Sequence, residues 1–125
     1  MNKDLKPELD LLNSTLSSIE KVLNLDQMQK EIKDLEKEAS SPNLWDDANY
    51  AQTITTKLSY LQSEFNKVSN LRQKIDDLYV LIELATDEDD ASAMQDVSKE
   101  IEKLDLELRE LEVKTLLSGE YDARE

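Results

Sequence analysis

One glycine, two prolines, no cysteine and no histidine occur in this chain of 125 residues. Each scarcity removes a kind of chemistry. Without Cys there is no disulfide and no thiolate nucleophile, and a reducing compartment suits the chain. Without His there is no imidazole base, and lacking both leaves no ordinary zinc site. Loops that cradle phosphate need several glycines so that backbone amides can approach the ligand, and one glycine cannot build them. Aromatic residues are only 5% of the chain, and β-branched and turn-forming residues are too few for a sheet protein. No apolar run approaches ~20 residues, and the opening MNKDLKPELD has no signal-peptide core. The expectation is a cytoplasmic chain with no membrane association and no cofactor.

Leu, Glu, Asp and Lys dominate instead. Charged residues make up 35% of the sequence, with a net charge of −14. Such a field repels phosphate backbones and anionic lipids, so no independent nucleic-acid binding is expected and a basic protein surface is the favoured partner.

The apolar spacing predicts four helices, at about 7–23, 27–39, 47–85 and 91–117. In the first, Leu5, Leu9, Leu12, Leu16, Ile19 and Leu23 alternate in steps of four and three, and Pro7 sits in the first turn, where no intrahelical amide bond is lost. Asp26 followed by Gln29 is the expected start of the second, which places Met28, Ile32, Leu35 and Ala39 on one face. Ser40-Ser41-Pro42 ends it. Asp47 caps the third, whose stripe runs from Tyr50 through Ile54, Phe65 and Ile75 to Ile82. The fourth carries Val97, Ile101, Leu104 and Leu108, with a second stripe at Leu106, Val113 and Leu117 that calls for more than one neighbour. Gly119, the sole glycine, is read as a left-handed C-terminal stop. The fold class expected is all-α, a helical bundle with a long antiparallel coiled-coil-like hairpin, monomeric, filling residues 1–118. Heptads of this kind also allow a free-standing dimeric coiled-coil adaptor or chaperone-like protein.

Few residues invite a site. Trp45 is read as an aromatic plug between the second and third helices, with a binding anchor as the alternative. Asp87, Glu88, Asp89 and Asp90 form an acidic turn that lacks the ligand spacing and the glycine of a calcium loop, so a solvated turn is expected rather than a metal site. The many carboxylates lie on polar helix faces with no apolar pocket to set their pKa values apart, and no catalytic residue is expected.

Three stretches taken together carry a resemblance: SPNLWDDANYAQ (41–52), LYVLIELATDEDD (78–90) and LLSGEYDARE (116–125). In that order they resemble the N-terminal domain of the bacterial peptide chain release factor 2 family. Pro42, Trp45 and Asp46 match the motif that opens the family's long helix. Ser118, Gly119, Glu120, Tyr121 and Asp122 match the one that closes the domain. The likeness runs from about Leu23 onward, and the first helix matches only in pattern. It implies a whole factor that enters the ribosome at UGA or UAA stop codons and triggers hydrolysis of peptidyl-tRNA. The codon-reading Ser-Pro-Phe-type tripeptide and the Gly-Gly-Gln loop would belong to later domains, and neither occurs here. The domain itself would be non-catalytic and would meet the ribosomal stalk-base protein and nearby rRNA. The acidic turn at 87–90 would be the contacting end, and residues 119–125 would begin the linker to a downstream domain.

Overall fold

The computed structural model describes residues 4–123, with side chains described over 4–115. Four helices follow in order: α1 (Lys6–Leu23), α2 (Leu25–Ala39), α3 (Ala48–Asp87) and α4 (Ala91–Ala123), with a 3-10 turn at Leu44–Asp46 before α3. No strand occurs among the described residues. The chain divides into two compact units, one made of 1–22 with 70–125 and the other of 23–69. The helix α3 contributes its second half to the former and its first half to the latter.

The first unit is a three-helix bundle. Leu9, Leu12, Leu16 and Ile19 of α1 are buried with Leu71, Ile75, Leu78 and Ile82 of α3. From α4, Val97, Ile101, Leu104, Leu108 and Leu111 complete the core. The three/four spacing puts each set on one face, and each fully buried Leu or Ile contributes roughly 1.5–3 kcal/mol. Polar pairs on the shoulders set the directions. Arg72 meets Glu20 at 2.8 Å while Tyr79 meets Asp10, so α1 and α3 are antiparallel. The three residues between α3 and α4 turn the chain back, and Lys74 reaches Glu107 at 3.4 Å.

In the second unit α2 packs on the first half of α3. Leu35, Leu44, Ala51 and Ile54 form its core, with Ala39, Leu58 and Leu61 packed against it. The hydroxyl of Tyr50 donates to Glu38 at 2.8 Å on the outside. Tyr50 was expected on the apolar stripe but is exposed, and Ala51 takes the buried position. Glu64 is buried beside the half-buried Phe65, with Lys67 at 3.8 Å from its carboxylate.

Three local expectations are corrected. The residue capping α2 is Asn24, not Asp26: its side chain accepts from the Gln27 amide at 3.4 Å. With φ at 54° it closes α1 and opens α2 in one left-handed step, a conformation Asn adopts more cheaply than most residues. The glycine is not a stop, because α4 continues through Gly119 to Ala123. A single Gly costs a helix interior about 1 kcal/mol relative to Ala, too little to break a ladder that Glu120 to Ala123 can continue. Positive φ occurs among the described residues at Asn24 and Asp89, neither of them glycine. Last, the second stripe of α4 is not covered, since Leu106 and Val113 are 63% and 57% exposed. Two neighbours, α1 and α3, are satisfied by the first stripe alone, while Leu117 lies outside the described side chains.

Candidate functional site

The acidic turn at the tip of the α3–α4 hairpin is built by backbone geometry. The helix α3 ends at Asp87. The Asp89 amide then donates to the Thr86 carbonyl at 3.2 Å and the Asp90 amide to the Ala85 carbonyl at 2.9 Å. This pair of bonds, around a left-handed residue, is the Schellman arrangement, with Asp89 where glycine is usual. Its φ is 49°. Asp90 is the N-cap of α4, accepting from the Ala93 amide at 3.0 Å. The four acids therefore differ in duty. Asp90 is tied to a helix amide, while Asp87, Glu88 and Asp89 have no side-chain partner among the described residues. Between Lys74 and Lys99 the sequence carries eight acidic residues and no basic one. The tip is thus a concentrated negative field on a hydrogen-bonded turn.

Among the described residues no group of three or more potential ligands is placed to hold a metal ion. No helix among them is long and apolar enough to cross a membrane.

The residues of the opening motif lie in the other unit. Pro42 follows the Ser40 cap of α2, whose amide donates to the Glu36 carbonyl at 3.1 Å. Trp45 and Asp46 form the 3-10 turn with Leu44. The plug expected of Trp45 is supplied instead by Leu44, 5% exposed, whereas Trp45 is 66% exposed. A 3-10 turn places adjacent side chains a third of a revolution apart, so only one of the two can face α2 and α3. The smaller branched residue takes that position. Asp47 caps α3 as expected, accepting from the Tyr50 amide at 3.1 Å. Gly119 and Tyr121 both lie within α4.

One polar assembly escaped the sequence reading. The Arg72 guanidinium donates to Asn13, to Ser17 at 3.2 Å and to Glu20 at 2.8 Å. Its fork thus spans two turns of α1, and the hydrogen bond to Glu20 holds its pKa above the usual value. Two helical turns further along α3, the Tyr79 hydroxyl donates to Asp10. Burial, and then that hydrogen bond, push the Tyr79 phenol up, whereas for Tyr50 the hydrogen bond to Glu38 is the main cause of a rise in the same direction. These groups join helices within one unit or the other, and none has the geometry of a nucleophile beside a base.

Comparison with known proteins matches residues 28–125 to the PCRF domain family. The chain is 50% identical over 122 residues to peptide chain release factor 2 of Streptomyces avermitilis, covering 98% of this chain and 33% of that protein. Peptide chain release factor 2 of Saccharopolyspora erythraea is 46% identical over 125 residues, with 100% and 34% covered. For the Corynebacterium glutamicum protein of the same name the identity is 46% over 126 residues, again covering 100% of this chain and 33% of that protein. The chain spans about a third of the length of the curated relatives it matches. These matches take in α1, which the sequence motifs had reached only through its pattern.

Proposed function

The chain belongs to the peptide chain release factor family through its PCRF domain, and from that premise we propose that it serves a translation termination factor of the release factor 2 type as its N-terminal helical domain. The whole factor directs peptide release at UGA and UAA codons in the cytoplasm. Peptidyl-tRNA hydrolysis belongs to domains beyond this one. This domain is non-catalytic, and Gly119 lies at the passage from it into the remainder. Its work is contact with the ribosome, at the stalk-base protein and nearby rRNA, through the hairpin tip. The free-standing adaptor suggested by the heptads gives way to family membership.

The observation that carries the choice of the tip is the hydrogen-bonded turn with free carboxylates at Asp87, Glu88 and Asp89. It lies at the end of α4 remote from Gly119, with about 42 Å of helix between Ala91 and Gly119. A basic protein surface is what such a field attracts, and it raises the association rate more than it slows dissociation. In the full factor, Asp87→Asn, Glu88→Gln and Asp89→Asn together are expected to slow association with ribosomes several-fold at low salt. The difference should shrink as salt approaches physiological strength. Unchanged association at low salt would rule out the tip as the contacting end.

A further inference from the structure

At the tip, the segment just before α1 and the α3–α4 turn leave a cavity of about 320 Å³ between them. Its floor is apolar, formed by Leu5 before α1, Ile82 and Ala85 near the end of α3, and Met94 in the first turn of α4. Its rim is acidic, with Asp4, Asp89 and Asp90. The rim is also positioned. The Asp4 carboxylate accepts from the Lys6 amide at 3.2 Å, Asp90 caps α4, and Asp89 sits at the left-handed position of the turn. Of the three, Asp89 has no side-chain partner among the described residues.

Only some occupants fit both floor and rim. A purely apolar side chain would desolvate carboxylates and give them nothing in return. A nucleic-acid backbone would bring phosphate to a negative rim. A long aliphatic stem ending in a cation meets both demands, lying along Leu5, Ile82 and Met94 while its head reaches the carboxylates. Arg meets them best, because its fork can bond two carboxylates at once.

We propose that this cavity is a socket for a basic side chain, Arg or Lys, presented by a protein segment of the ribosome. The inference rests on the tip being the contacting end, and adds that protein rather than rRNA is recognised there, through one inserted side chain.

The test uses the full factor on ribosomes, with the photo-crosslinking residue p-benzoylphenylalanine in place of Thr86, which lines the cavity and is exposed. The expected product is an adduct with a ribosomal protein, mapped to a peptide containing Arg or Lys. In the same background Ala91→Phe fills the mouth of the cavity without changing charge, and Asp89→Lys places a cation at its rim. Each is expected to reduce the protein adduct about tenfold, a change of the size that loss of one buried contact produces. The control Asp96→Lys makes the same charge change away from the cavity, and should reduce the adduct less than about threefold. No ribosomal adduct from position 86 would overturn the tip reading and the socket with it. An adduct with rRNA alone would leave the tip reading standing and overturn the socket. A protein adduct insensitive to Ala91→Phe would overturn the socket too.

Discussion

Tyr79 ties α3 to α1 through one hydroxyl, and its burial and its bond to Asp10 both favour the neutral phenol. The folded-state pKa is therefore above the ordinary phenol value of 10.0. The neutral form must be kept for the fold to keep that bond, so its contribution is complete below the unfolded pKa and fades as pH rises through the folded one. Denaturant unfolding followed from pH 8 to 11.5 should show wild-type stability falling above about pH 10, and falling less steeply in Tyr79→Phe. Equal slopes would mean that Tyr79 titrates alike in both states. Tyr50 shifts in the same direction and adds to the wild-type loss, which is why the comparison of slopes matters and not the loss alone. At this scale the sequence was least legible. Asn13, Ser17 and Glu20 are ordinary polar residues on the shoulder of α1, and nothing in their spacing names Arg72, more than fifty positions away, as what they share. Only the antiparallel placement of α1 and α3 brings them together.

Helices were far more legible than their ends. Stripes of period 3.6 and the absence of Gly or Pro from 47 to 86 made α3 readable within two residues at its C-terminal end. What the pattern could not say was which of two neighbouring apolar residues would turn inward at the 3-10 turn. That makes Leu44 and Trp45 a direct comparison. Leu44→Ala empties a position in the core with Leu35, Ala51 and Ile54, and should destabilise by about 2–4 kcal/mol in chemical denaturation. Trp45→Ala should cost about 0.5 kcal/mol or less, despite removing the larger side chain. The reverse order would restore the aromatic plug. The same reasoning applies to α4. Glycine is the residue most often used to end a helix, but the conformation is chosen by what comes after as much as by the residue itself. In the helix interior Gly119→Ala should raise stability or local helicity by about 0.5–1 kcal/mol, read from amide exchange around 119. At a left-handed stop it would do the opposite.

At the scale of the whole molecule, charge acts on both the fold and its partners. A net charge of −14 is spread over helices whose buried faces are almost wholly apolar, so the acids lie outside and repel one another. The ion pairs found among the described residues, such as Lys74–Glu107 and Arg109–Asp105, are largely exposed and each contributes only about 0–1 kcal/mol. They cannot balance repulsion on that scale. Screening should therefore favour the compact state, and the full factor's N-terminal region should resist proteolysis better as NaCl rises from about 20 to 300 mM, where the screening length falls from roughly 20 Å to under 10 Å. Under the proposed contact, salt should have the opposite effect on ribosome association, which the same charge would accelerate. A factor whose acidic domain is less stable at low salt yet associates faster there would show that its surface charge is retained for encounter with a basic partner, at some expense to the fold. Stability that is flat or falls with salt would mean that local pairing already neutralises the repulsion, and would remove the electrostatic argument for a basic partner at the hairpin tip.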